Sequence, residues 1–422
     1  MLDIRLIREN PEFVKSRLAR RAAGSETQID AVLEIDAERR RRETRLQQLQ
    51  AERKQISKEI GSRKARGDDT AAIEAQARAI GEEISELSRQ AGEAEENQRE
   101  LLLTLPNLPH DGAPIGKVAA DNPVVRSWGE KPSIADPLDH VRLGEKLGLF
   151  DLERAAKISG SGFVCFTGHG ARLQRGLINF CLDLHTREHG YTEMAPPFLV
   201  RPEALVGTSQ LPKFGDQLYH CAEDNMYLIP TAEVPVTNFH AGELLAEDDL
   251  PKKFVAYTAC FRREAGAAGV GTRGIIRVHQ FDKVELVKIV VPETSFAELE
   301  ALTADAEKVL QVLGLHYRVV ELCTGDVGFG SAKTYDIEVW APGQNAYLEV
   351  SSCSNFTDFQ ARRMNLKFKD VLGKNRFCHT LNGSGTALPR LLVALLETYQ
   401  QPGGAVLIPD PLREYIGFGT LG

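Results

Sequence analysis

The sequence predicts an α+β protein: an antiparallel sheet with helices packed to one side, preceded by an N-terminal antiparallel helical hairpin. Two observations carry this. The runs "KFVAYTACFRRE", "IIRVHQFDKVELVKIVV", "YRVVEL", "TYDIEVWAP" and "AYLEVSSCS" lie close together without a helix between each pair, which suits antiparallel pairing rather than parallel crossovers. From Val32 to Leu101 the chain is instead rich in Glu, Arg, Gln and Ala and has no proline, a composition of long solvent-facing helices.

The opening "MLDIRLIREN" mixes charges with apolar residues, and no later run approaches the roughly 18 apolar residues of a membrane span. A cytoplasmic protein without a membrane partner is expected. Lys and Arg number 51 against 59 Asp and Glu, a net charge of −8. No global field therefore draws the chain onto DNA or anionic lipid, and any RNA contact must come from local basic patches. Seven cysteines, at 165, 181, 221, 260, 323, 353 and 378, include no C-x-x-C pair. They read as reduced and mostly buried, neither a disulfide framework nor a zinc site.

In the long helical stretch, Val32, Ile35, Leu46, Leu49, Ile56 and Ile60 fall on a heptad seam that Arg39, Arg42 and Arg53 interrupt. A second seam runs through Ile73, Ala77, Ile80, Ile84, Leu87, Ala91, Ala94, Gln98 and Leu101, and "GSRKARGDDT" between the two supplies turn and helix-start signals. A first helix of about thirty residues would reach about 45 Å. The hairpin carries Arg63, Lys64 and Arg66 at its tip. Two roles stay open for it: a partner-binding coiled coil with a solvated face, or an arm that grips RNA phosphates.

The prolines of "TLPNLPHDGAP" end the hairpin, which divides the chain into an N-terminal domain over 1–107, a linker over 108–135 and a main domain over 136–422. Helices are expected at "GARLQRGLINFCLDLHTREHG", "TSFAELEALTADAEKVLQVLG" and "ALPRLLVALLETYQ".

Strand alternation puts Arg262 and Glu264 on one face of a run ending at 264, and Arg277, Phe281 and Glu285 on one face of the next, with the glycine-rich Ala265–Gly274 as a hairpin loop. Cation, ring and carboxylate in series are what a nucleotide needs for its phosphates, base and polar edge. A half-exposed face with cross-strand ion pairs would look similar. Glu338 and Glu349 sit on neighbouring predicted strands, where a carboxylate calls for a cation, often a metal. Arg390 follows Pro389 in the first turn of an apolar helix and should face an anion or a ring. Neither a Walker P-loop nor a Rossmann fingerprint occurs.

From end to end the chain resembles the bacterial-type seryl-tRNA synthetases, class II aminoacyl-tRNA synthetases. The resemblance rests on "MLDIRLIRENPEFVKSRL", the helical arm, "SGSGFVCFTGHGARLQRGL", "GYTEMAPPFLV", "LPKF", "LIPTAEVPVTN", "CFRREAGAAGVGTRGIIRVHQFDKVEL", "EVSSCSNFTDFQARR" and "TLNGSGTALPR" in the family's order. It implies a class II catalytic domain on an antiparallel sheet, a homodimer with Pro197 at its interface, and an enzyme that uses ATP and Mg²⁺ to join L-serine to serine tRNA, selenocysteine tRNA included where one exists. The arm would grip the long variable region of the tRNA.

The resemblance also implies roles. Arg262 holds the α-phosphate and the serine carboxylate, Glu264 meets the adenine amino group, and Phe281 with Arg390 encloses the base. Thr231 and Glu233 receive the serine ammonium, Ala232 between them is a further serine-binding position, and Glu285 and Ser384 take the hydroxyl. Glu349 and Ser352 are the implied Mg²⁺ and ATP ligands, with a bend expected near Ser351 to bring them onto one face. Arg263, Arg277, Val278, Val350 and Ser351 complete the implied ATP contacts, and Arg262, Glu349 and Arg390 are the catalytic set. The chain departs from the family's pattern at Val270-Gly271, where a basic-acidic pair is frequent, at Ser209, and in "TALPR". A catalytically silent adaptor, an antibiotic-resistant second copy and an enzyme that loads a carrier protein are the alternative readings.

Overall fold

The computed structural model describes residues 1–265 and 273–422, so Val270-Gly271 and most of the glycine-rich loop lie outside the described residues. The chain forms two compact units, one of Met1–Ala19 with Ala23–Pro106, the other of Arg20–Ala22 with Asn107–Gly422.

In the first unit, α1 (Ile29–Arg66, 38 residues) and α2 (Ala71–Thr104, 34 residues) form the helical hairpin. At ~1.5 Å per residue α1 is about 57 Å long, more than its apolar seam alone indicated. Leu49, Ile56 and Ile80 are buried between the helices, with Ile60, Ile73, Ala77, Ile84 and Leu87 packed around them. Two of the interrupting arginines are partnered. Arg39 bonds Asp36 (3.2 Å) and Glu43 (2.5 Å), and Arg42 donates to the Gln90 carbonyl of the other helix (2.9 Å). Asp36 is buried and also takes bonds from Gln98 (3.1 Å) and Arg8 (2.9 Å), a polar layer inside an apolar seam. Arg53 stays exposed.

The second unit is built on an eight-stranded sheet. Its strands are β1 (Val124–Trp128), β2 (Thr192–Met194), β3 (Lys252–Phe261), β4 (Gln280–Val290), β5 (Tyr317–Glu321), β6 (Lys333–Ala341), β7 (Ala346–Asn355) and β8 (His379–Ala387). They lie in the order β1-β5-β6-β7-β8-β4-β3-β2. All pairings are antiparallel except β2 with β3. The apolar half of each alternation faces α4 (Gly168–Arg187), α5 (Ser295–Val312) and α6 (Leu388–Thr398), which follow α3 (His140–Leu147) in the chain. Leu173, Leu177, Leu299, Leu302, Leu391 and Leu395 from those helices form one core with Val284, Leu286, Ile337, Val339 and Leu381 of the sheet. Burial of this scale dominates the folding free energy. The helices cover one sheet face, which leaves the polar half of the alternation on the other.

Two expectations need correction. The stretch 108–135 is no free linker: β1 pairs with β5 as an edge strand, and His110 N–H donates to the Ala332 carbonyl (2.8 Å). The prolines marked the end of the hairpin, but the following backbone still had to satisfy its hydrogen bonds and does so on the sheet. Second, β3 ends at Phe261 and β4 begins only at Gln280, so Arg262, Glu264 and Arg277 stand just beyond the strands. Arg262 N–H still donates to the His279 carbonyl (2.9 Å), but the His279 N–H turns to the Gly162 carbonyl and the Ile275 N–H to His140, so the regular ladder goes no further.

Two irregularities shape the polar face. Between β6 and β7 the register passes from Ile337 opposite Ser351 to Glu338 opposite Glu349, leaving Val350 unpaired. Between β4 and β8 it passes from Val284 opposite Thr386 to Glu285 opposite Ser384, leaving Gly385 unpaired. At Gly385 a Cβ would come within 2.8 Å of His185 Nε2 of α4, so the close approach requires glycine.

Candidate active site

On the sheet face away from the helices lies a cavity of about 470 Å³. Its floor follows from period-two alternation: Phe281, Lys283 and Glu285 from β4, Asn382 and Ser384 from β8, and Ser352 and Ser354 from β7. The bulge at Val350 adds Glu349 to the same face as Ser352, because one unpaired residue restores parity across three positions. The predicted bend is therefore present, one residue before Ser351. Thr231, Glu233, Arg262, Glu264, Arg277 and Arg390 form the walls.

One end of the cavity is aromatic and cationic. The Arg262 guanidinium lies over the Phe281 ring, 5.1 Å from its centroid, and its Nε donates to the Pro230 carbonyl (3.3 Å). Arg277 Nη1 pairs with Glu264 Oε2 at 2.6 Å, and Glu264 holds a left-handed backbone with φ of 47°. Such a conformation is costly for a residue with a Cβ and is found where surrounding structure imposes it. Arg390 meets an anion, as its place at the helix start required: Nη1 is 2.8 Å from the Glu349 carbonyl and 3.7 Å from its carboxylate, and Nε is 3.4 Å from the Ile276 carbonyl.

The other end is a buried polar network. Lys283 Nζ lies 2.6 Å from Glu285 Oε2 and donates to Thr231 Oγ1 at 2.7 Å, with side-chain exposures of only 8% and 1% for the ion pair. Asn382 Nδ2 (3.2 Å) and Ser384 Oγ (3.4 Å) also donate to Glu285. Glu233 accepts from Gln360 Nε2 at 2.7 Å, and Gln360 in turn accepts from Thr380 Oγ1 at 2.6 Å. Burial, reinforced by the charge of Glu285, pushes the Glu233 carboxyl up to about 7. Two carboxylates, Lys283 and Arg262 thus converge on one small, largely buried slot.

Three predicted residues do not line the cavity. Ala232 is fully buried with Val236, Ala256 and Val287. Arg263 is exposed and contributes its N–H to the Gln217 carbonyl (2.9 Å). Ser351 faces the core, 3.4 Å from Cys353 Sγ. All the other residues expected to contact serine or ATP border the cavity, whereas Pro197 lies elsewhere, exposed beside the exposed Phe198 and Leu199. Sequence reasoning missed Lys283, Asn382 and Gln360. The first two were legible, since 281, 283 and 285 share one face and 382 shares that of 384. Gln360 meets Glu233 across 127 residues of chain and had no local signal.

Glu349 and Ser352 offer hard oxygen donors of the kind Mg²⁺ takes. Among the described residues no group of three His, Cys, Asp or Glu could hold a metal by itself. An ion here would complete its shell with substrate oxygens and water.

An antiparallel sheet with helices on one face and a charged, ring-bearing cavity on the other defines the class II aminoacyl-tRNA synthetase core, and residues 219–399 match the family model "tRNA synthetase class II core domain (G, H, P, S and T)". Residues 1–109 match "Seryl-tRNA synthetase N-terminal domain". A serine-tRNA ligase of Akkermansia muciniphila is 60% identical over 417 residues, 99% of this chain and 98% of that one. The crystal structure of seryl-tRNA synthetase from Pyrococcus horikoshii complexed with ATP is similar at a TM-score of 0.94 and 40% identity, covering 100% of this chain and 99% of that one. A cytoplasmic serine-tRNA ligase from Naegleria fowleri in complex with AMP gives 0.88 at 30% identity, covering 100% and 98%. The chain belongs to the seryl-tRNA synthetase family and is a ligase.

Proposed function

We propose that this chain activates L-serine with ATP to seryl-adenylate and pyrophosphate, then transfers the seryl group to the 3′ end of serine tRNA. The observation that carries the reading is the buried slot of Thr231, Glu233, Lys283, Glu285 and Ser384 beside the Arg262 and Phe281 pair. Glu233 and Thr231 suit the serine ammonium, and Glu285 with Ser384 suits its hydroxyl. An amino acid without the hydroxyl would leave those buried groups unpaired, which penalises alanine more than an apolar pocket could.

At the other end, Phe281 and Arg390 would enclose the adenine, Glu264 and the Val278 backbone would take its polar edge, and Arg262 would bridge the serine carboxylate and the α-phosphate. In the first step the serine carboxylate oxygen attacks the α-phosphorus and pyrophosphate departs. In the second, the terminal ribose hydroxyl of tRNA attacks the seryl carbonyl and AMP departs. Alignment by Arg262 and stabilisation of developing phosphate charge suffice, and no covalent enzyme intermediate is needed. Glu349 and Ser352 would hold Mg²⁺, which when bound neutralises phosphate charge.

The helical hairpin, with exposed Arg63, Lys64 and Arg66 at its turn, supports the reading of an arm that contacts tRNA phosphates by shape. Exposed Pro197, Phe198 and Leu199 support a homodimer in which they are covered. Among the described residues no helix is long and apolar enough to cross a membrane, and we place the activity in the cytoplasm.

Exchange of labelled pyrophosphate into ATP tests the first step. Exchange should require serine, and equal exchange with alanine or threonine would overturn the assignment. Deletion of residues 32–101 should abolish tRNA charging while sparing exchange. Loss of both would count against an RNA-binding arm.

A further inference from the structure

We infer that His140 is a positioning residue for the nucleotide end of the cavity: it anchors the Ile275 amide, and so the Ile276–Val278 wall, to a carboxylate on the last turn of α6. The inference rests on the proposed ATP site.

The bonding pattern assigns the imidazole proton. The Ile275 N–H can only donate, and it points at His140 Nε2 (3.3 Å), so that nitrogen is the acceptor and the proton sits on Nδ1. Nδ1 faces Glu397 Oε1 at 3.1 Å. Glu397 has no exposed surface. Its Oε1 also accepts from His140 N (2.8 Å) and Gln344 Nε2 (2.8 Å), and its Oε2 from Gly343 N (2.9 Å) and Gln344 N (3.2 Å). Gln400 clamps the backbone two residues before His140, accepting from Leu138 N (2.8 Å) and donating to Leu138 O (3.1 Å).

The wall is shaped to receive the imidazole. Gly274 has φ of 73°, and a Cβ there would fall on His140 Nε2. Arg273 beside it pairs with Asp139 at 3.3 Å. The next residues belong to the cavity, where the Ile276 carbonyl accepts from Arg390 and Arg277 pairs with Glu264. Helix α6 thus holds one short segment from both its ends, directly through Arg390 and indirectly through Glu397 and His140. Among the described residues Glu397 bonds to no Lys or Arg, and a carboxylate so placed is an expensive way to fill a core. Its return here is a fixed direction for one amide, the kind of support that a substrate-binding wall requires.

Two replacements separate this from a packing role. In His140→Asn the amide nitrogen can still meet Glu397 but nothing accepts from Ile275. In His140→Gln the side-chain oxygen reaches the place of Nε2. In serine-dependent pyrophosphate exchange, His140→Asn should raise KM for ATP about tenfold with KM for serine nearly unchanged. His140→Gln should bring KM for ATP back to within about threefold of the parent. Because the buried Ile275 N–H loses its acceptor, the melting temperature of His140→Asn should fall, and assays well below its transition should still show the selective rise. KM values for both substrates rising together, or Asn and Gln variants behaving alike, would overturn the positioning role. Absence of serine-dependent exchange in the parent enzyme would instead overturn the proposed function itself.

Discussion

The helical hairpin and the cavity use the same side chains to opposite effect. In the hairpin, arginine and glutamate meet as neighbours one turn apart on open helix surface: Arg89 lies 2.6 Å from Glu86 and 2.5 Å from Glu93, and Arg41 and Arg42 both reach Glu38. Water and salt screen such pairs, and each can be lost without leaving a charge stranded. In the cavity, Lys283 and Glu285 of one strand meet Glu233 and Arg262 from two other segments, and Lys283, Glu285 and Glu233 are almost wholly excluded from water. Removing one partner there leaves an uncompensated charge in a poorly solvated space. Exposed pairs dress a surface, whereas buried ones hold a site in a state that a substrate completes.

Breaking the cavity's charges should show this contrast at its largest. Arg262→Ala should cut the pyrophosphate-exchange rate by on the order of 10³-fold, since a preorganised cation at a developing phosphate charge is lost. Thermal unfolding should confirm a folded variant, and near-normal exchange would remove Arg262 from the reaction. Lys283→Met leaves Glu233 and Glu285 facing each other, and urea unfolding should register a loss of about 3 kcal/mol. A loss no greater than that of a surface variant would put the cavity pair on the same footing as the hairpin pairs.

The pH dependence sharpens the same comparison with a smaller effect. Glu233 is raised from 4.5 to about 7 by burial and by Glu285, so it is protonated below that value and lacks the charge that holds an ammonium. KM for serine should therefore rise as pH falls below about 7, by about tenfold one unit further down, and Glu233→Gln should flatten the profile. The stability sign is opposite to that of an exposed, ion-paired carboxylate. The folded state holds the proton more tightly than the unfolded one, so the substrate-free protein should lose stability as pH rises from 4.5 to about 7. Constant stability across that window would place Glu233 outside the buried network. At the small end, Arg89→Ala on the hairpin should leave the melting temperature and the exchange rate unchanged, and a clear drop in either would break the contrast between the regions.

How far the site was legible depended on whether a residue's neighbours in sequence are also its neighbours in space. Phe281 and Glu285 were readable from alternation because a strand fixes which face each position takes, and Lys283 between them was equally readable. Arg390 was expected beside an anion, and Glu349 is there. Ala232, Arg263 and Ser351 sit next to cavity residues in the chain but turn away from the cavity. Adjacency in a motif does not carry a side chain into the site.

By itself the sequence determined the two periodicities, hence a long helical hairpin and a one-faced antiparallel sheet, and the motif order that implied the family. Those features depend on interactions within a few residues and on which side chains water rejects. The tertiary structure alone decided the bulges at Val350 and Gly385, the edge strand β1, the Gln360 bond to Glu233 and the tie from Glu397 through His140 to Ile275. Each joins groups distant in the chain, where the outcome rests on which buried donors and acceptors packing leaves within reach of one another.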